Sequence, residues 1–182
     1  MATRAIGKSS DPNITEELIA TILLHDVVED EEREIKELPF PEKIRCGVQH
    51  MSFIQAEGET KYEMKRRTYA VMPDCFEAAL GKGFDRGDNL KTMPNSGFVV
   101  ERIRKNIVET DVMVLPMLKQ AEVRWPKASN LIRDVRVGVR DINDVLAKAY
   151  GVKLTDPNYI NPSDAKDYSY LLTGETPPEE AA

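Results

Sequence analysis

No stretch of this 182-residue chain alternates apolar and polar residues with the period of a strand. Apolar residues instead recur three and four apart, the spacing that lines one face of a helix. Ile14, Leu18, Ile19, Ile22 and Leu23 form one such face. Ile44, Val48 and Met51 form a second, and Tyr69 and Val71 close a third segment. Phe76, Ala79, Leu80 and Phe84 form the next, followed by a longer series at Val100, Ile103, Ile107, Val114, Leu115 and Leu118. The last runs Ile132, Val135, Val139, Ile142, Val145 and Leu146. The prediction is an all-α bundle of about six helices over residues 1–151.

Local signals place the ends. Asn13 with Glu16, Thr60 with Glu63, and Asp74 with Glu77 have the spacing of capping boxes. Pro41 suits a first helical position, Glu57-Gly58 and Trp125-Pro126 are stops, Ser129 can cap the last helix, and Gly151 suits its end. A single long helix is expected over 98–124, kinked at Pro116. Residues 152–182, rich in Pro, Asp and Glu with scattered tyrosines, read as a tail.

Within this helical frame, chemistry-bearing residues concentrate at Leu23-Leu24-His25-Asp26-Val27-Val28-Glu29-Asp30, where an apolar helical run ends. If the helix continues, His25 shares a face with Glu29 and Asp26 with Asp30. Carboxylates at a helix C-terminus oppose its dipole, and Asp26 and Asp30 repel each other, so a bound cation would relieve the strain. For Glu31, Glu32 and Glu34 a solvated acidic run partly neutralised by Arg33 and Lys36 is the better reading. A second concentration is Asp85-Arg86-Gly87-Asp88-Asn89-Leu90, emerging from a small-residue segment at Gly81 and Gly83. An aspartate there is costly unless paired or metal-bound; a salt bridge to Arg86 or to a lysine and a metal ligand are equally open readings. His50 is read as a surface or half-buried residue, and Lys65-Arg66-Arg67 as a solvated face, one of them available to a phosphate.

Composition bounds the partners. The net charge is −6 with no strongly basic segment, so nucleic acid is a poor default partner. Cys46 and Cys75 lie far apart without a CxxC pairing, which argues against a zinc cluster or a disulfide scaffold. No apolar run reaches membrane-spanning length, and the expected compartment is the cytoplasm.

These two segments resemble those of HD-domain phosphohydrolases of the (p)ppGpp hydrolase type, found in bifunctional alarmone synthetase/hydrolases and small alarmone hydrolases. Leu-Leu-His25-Asp26-Val-Val-Glu29-Asp30 is similar to the family's central motif. Asp85-Arg86-Gly87-Asp88-Asn89-Leu90-Lys91-Thr92 is similar to its Asp-Arg-Leu-His-Asn-Met-Arg-Thr segment, with Gly87 and Asp88 in place of Leu-His. The resemblance covers about residues 14–92. It implies an HD-type helical domain holding one divalent ion, Mn²⁺ first among the candidates, with His25, Asp26 and Asp85 as ligands. Glu29 and Asp30 would orient or deprotonate the attacking water, and Asn89 and Arg86 would contact the nucleotide. The implied reaction is release of the 3′-pyrophosphate from a guanine nucleotide such as guanosine 3′,5′-bis(diphosphate). The family's earlier histidine ligand has no counterpart before His25. Counting back puts it at or upstream of Met1, so an incomplete N-terminal helix is expected. The alternative is an HD-type nucleotide-binding module that no longer turns over.

Overall fold

The computed structural model describes residues 11–26, 35 and 39–154, and these fold as an all-helical bundle. The helices are α1 (Glu16–Leu24), α2 (Glu42–Met51), α3 (Lys61–Val71), α4 (Phe76–Thr92), α5 (Val100–Glu109), α6 (Leu115–Arg124) and α7 (Ser129–Tyr150). A π-helical turn, Thr110–Val114, joins α5 to α6 without a break, so the described residues form six rods. None of the described helices is long and apolar enough to cross a membrane.

Helix α4 is the centre, packed on α1, α2, α6 and α7. Every residue from Glu77 to Gly87 is buried, an uninterrupted run where a surface helix would bury one stripe. The small side chains make this possible. A Cβ added at Gly83 would stand 2.7 Å from Val135 Cγ1 and 3.1 Å from Leu118 Cδ2. One added at Gly81 would stand 3.1 Å from Met51 Sδ and 3.2 Å from Ile22 Cγ1. The two glycines therefore let α4 approach α6 and α7 on one side and α1 and α2 on the other. Leu80 and Leu90 of α4 and, around it, Leu18, Ile22, Met51, Met72, Ile107, Leu118 and Ile132 are sealed from solvent. Each such side chain stabilises the fold by about 1.5–3 kcal/mol relative to exposure.

The caps follow the sequence in part. At α3, Thr60 Oγ1 accepts from Glu63 N while Glu63 Oε2 accepts from Thr60 N, the reciprocal box expected. Gly151 ends α7 at φ 66°, a left-handed position that suits glycine. At α1 the cap is Thr15, whose Oγ1 accepts from Leu18 N; Asn13 is held in a turn by Asp11 Oδ1 and does not cap with Glu16. Asp74 does not cap α4 either. It sits in the short 3₁₀ turn Met72–Asp74, paired with Arg124 at 2.9 Å, and Cys75 takes the N-cap position. Ala128, not Ser129, occupies the N-cap position of α7. Helix α2 stops at Met51, earlier than expected, where Ser52 Oγ donates to Val48 O.

The irregularity expected at Pro116 is the π-turn just before it. Proline offers no N–H to the carbonyl four residues back and its ring crowds that carbonyl. The wider π turn accommodates the misfit without ending the rod. Thr110, fully buried within it, donates its hydroxyl to Asn106 O at 2.7 Å.

Candidate functional site

Helix α1 delivers His25 to the bundle interior and then ends. The helix stops at Leu24, with His25 as its C-cap and Asp26 in the following turn, so these two residues are not part of the helix that was expected to carry them. Glu29 and Asp30 lie outside the described residues. His25 is buried, 4% exposed, and its ring is fixed by Nδ1–H donating to Ile22 O at 2.9 Å. That bond assigns the proton to Nδ1 and turns Nε2 outward, the arrangement in which histidine serves as a metal ligand with an oriented ring. Nε2 lies 2.9 Å from Asp26 Oδ1, while the Asp26 side chain is largely exposed. An imidazole lone pair and a carboxylate oxygen at this separation need a second ring proton or a cation between them.

Asp85 approaches from α4, which packs on α1. It is buried, and both of its oxygens are engaged: Oδ1 accepts from Asn89 Nδ2 at 2.9 Å and Oδ2 pairs with Lys82 Nζ at 2.8 Å. Burial alone would raise its carboxyl; Lys82, with His25 and Arg86 adding, outweighs that and holds it below the usual carboxylate range. Of the two salt-bridge partners open from sequence, the structure selects a lysine. Lys82 is itself buried, its Nζ 5.0 Å from the centre of the Phe53 ring. Helix α1, which ends at His25, thus packs on the helix that carries Asp85, with Asp26 largely exposed and Asn89 one turn beyond Asp85.

Arg86 is placed differently from the expectation of a nucleotide contact. It is buried, 4% exposed, and faces α3 and α5. Its guanidinium pairs with Glu109, donates to Asn106 Oδ1 at 2.6 Å and reaches the Tyr69 hydroxyl at 3.3 Å. Tyr69 in turn donates to Glu109 Oε1 at 2.9 Å, and Lys65 also pairs with Glu109. This network ties α3, α4 and α5 together. Of the basic triplet, Lys65 serves the network, and Arg67 pairs with Glu59 at 2.8 Å while donating to Ile54 O.

A second cluster was not anticipated. Cys46 and His50 lie one turn apart on α2, and Cys75 stands at the start of α4; one ligand atom from each falls within 4.8 Å of the others. Among the described residues this is the group of three histidine, cysteine or carboxylate ligands drawn that close together. His25, Asp26 and Asp85 are not within that spacing of one another, and Asp85 is engaged by Lys82 and Asn89 instead. The four-residue spacing of Cys46 and His50 was visible in the sequence; the partner in Cys75 comes only from the packing of α4 on α2.

The chain matches no protein-family model, no curated protein and no solved structure.

Proposed function

We propose that this chain is a metal-dependent nucleotide phosphohydrolase of the HD type, acting on a guanine nucleotide and releasing pyrophosphate from its 3′ end. One observation supports the reading above the rest: α1, which ends at a ring-oriented His25, packs on α4, which carries the buried Asp85. The donor set of one imidazole nitrogen and two carboxylates fits Mn²⁺, a cation that accepts both ligand types. The 2.9 Å between His25 Nε2 and Asp26 Oδ1 suits neighbouring donors on one small cation.

When bound, the cation would supply Lewis acidity toward a phosphoryl oxygen and a water of lowered pKa. The chain's own residues do the rest. Ile22 O fixes the His25 tautomer, so that Nε2 presents a lone pair. Asp85 would join His25 and Asp26 in holding the cation, and the Lys82 ammonium beside it would be a charge available to the substrate's phosphates. Asn89, exposed on the same face of α4, offers an amide toward the nucleotide. Glu29 and Asp30 follow Asp26 in the chain and are the carboxylates proposed to take the proton from the attacking water.

The test is to incubate the protein with Mn²⁺ and guanosine 3′,5′-bis(diphosphate) and follow pyrophosphate release. His25→Ala and Asp85→Ala each abolish it if the site is assigned correctly; release that is indifferent to both contradicts the assignment. A second reading, nucleotide binding without turnover, is favoured by the full engagement of Asp85 with Lys82 and Asn89. Calorimetry that detects binding of the same nucleotide while no pyrophosphate appears selects it.

A further inference from the structure

We propose that Cys46, His50 and Cys75 form a second metal site, separate from the centre at His25 and selective for a thiophilic d¹⁰ cation such as Zn²⁺. The argument starts from convergence. Cys46 and His50 share one face of α2, and the N-terminal end of α4 presents Cys75 to them, so that three soft or borderline donors lie within 4.8 Å of one another. Nδ1–H of His50 donates to Cys46 O at 2.9 Å, and the same nitrogen is 3.6 Å from Cys46 Sγ, so the ring is held beside the sulfur. Two thiolates and an imidazole prefer zinc or Cu(I) over Mn²⁺ or Mg²⁺, whose preferred donors are oxygen. They also make the three-ligand zinc set that leaves a fourth position for a further donor.

The fourth donor has a candidate. Glu77, two residues beyond Cys75, is 6% exposed, and its Oε2 lies 3.7 Å from Cys75 Sγ, which donates to it. Lys43 at 2.9 Å holds the other carboxylate oxygen in place. Neither sulfur has been spent on a disulfide.

A redox pair is the rival use of two neighbouring cysteines, and the surroundings disfavour it. Cys75 is buried, 7% exposed, which keeps an exchange partner from its sulfur. A thiol so held is a poor nucleophile for disulfide exchange near neutral pH. A bound cation overrides the penalty of burial, since metal coordination deprotonates a thiol outright. Binding therefore converts Zn²⁺ and two thiols into a dithiolate complex and releases two protons, with no change of oxidation state. The consequence in the fold is a clamp between α2 and the start of α4, the helix that carries Asp85.

The experiment uses the full chain, reduced, and titrates it with Co²⁺ as a spectroscopic stand-in for Zn²⁺. It is run in parallel on the doubly substituted His25→Ala, Asp85→Ala chain, so that failure of the proposed hydrolase centre and failure of this site are read separately. The expected result is a thiolate-to-cobalt charge-transfer band in both chains, displaced by one equivalent of Zn²⁺. His50→Ala lowers Zn²⁺ affinity by about tenfold or more, and Cys46→Ser removes most of the band. Cys46 is half-buried, so its variant tests the site even if Cys75→Ser fails to fold; far-ultraviolet circular dichroism checks both. Absence of the band in the reduced chain overturns the proposal, and so does a band that survives Cys46→Ser at full strength.

Discussion

Lys82 and Asp85 are one turn apart on the buried face of α4, Nζ 2.8 Å from Oδ2, each close to nine-tenths buried. An ammonium therefore neutralises the carboxylate that the proposed centre assigns to a metal ion. Two charges buried together on a central helix are costly to separate, because removing one leaves the other without a counterion.

Lys82→Met tests this relationship. Without a cation present it is expected to destabilise the fold by about 3–5 kcal/mol, the usual cost of breaking a buried pair. Saturating Mn²⁺ is expected to restore part of that loss, since a ligand bound only by the folded state adds stability by mass action. Thermal melts with and without Mn²⁺ read both effects. Destabilisation that Mn²⁺ does not relieve would show that Asp85 does not accept the ion.

The Arg86–Glu109 pair sets an acid limit on stability. Burial alone would raise Glu109, but Arg86 and Lys65 overcome it and hold the carboxyl at about 2, against an ordinary value of 4.5. A carboxyl depressed in the folded state contributes its full stability above its unfolded value. That contribution is present above about pH 4.5 and is lost as pH falls from there toward 2. Urea denaturation across this range is expected to show the decline in the wild type. Glu109→Gln, which leaves Arg86 buried without its counterion, is expected to cost about 3–5 kcal/mol at neutral pH and to flatten the acid decline.

Gly83→Ala probes the close approach at the centre of the bundle. The added methyl carbon would meet Val135 Cγ1 at 2.7 Å and Leu118 Cδ2 at 3.1 Å, so α6 and α7 must give way. The helix-propensity gain of alanine over glycine, about 1 kcal/mol, is expected to be outweighed by an overpacking cost of about 1–3 kcal/mol. The urea midpoint is expected to fall; a rise would mean that the packing yields more easily than the contacts indicate.

What could be read from the sequence was what depends on neighbours along the chain. The rods follow from apolar spacing, and the Thr60–Glu63 box and Gly151 follow from local backbone chemistry. Where two local signals competed, the nearer won: Thr15 caps α1 while Asn13 is drawn into a turn by Asp11. The candidate site was legible in part. The helix that ends at His25 packs on the helix that carries Asp85, but Arg86 turned inward because Glu109, on a helix too distant for spacing arguments, supplies a buried counterion. A lysine partner for Asp85 was open from the sequence and Lys82 lies at the spacing of a helical ion pair, but its burial was not legible, because a lysine inside a run of small residues reads as a surface position. The Cys46–His50–Cys75 cluster depends on how α4 meets α2, which no pattern within either segment encodes.

The central claim is that His25 and Asp85, brought from two helices, hold one divalent cation. Its most direct test is a Mn²⁺ titration followed by the electron paramagnetic resonance signal of the free ion, on the wild-type chain and on His25→Ala and Asp85→Ala chains shown to be folded. The expected result is one Mn²⁺ taken up by the wild type and none by either variant. Equal uptake by all three chains, or none by the wild type, would contradict it.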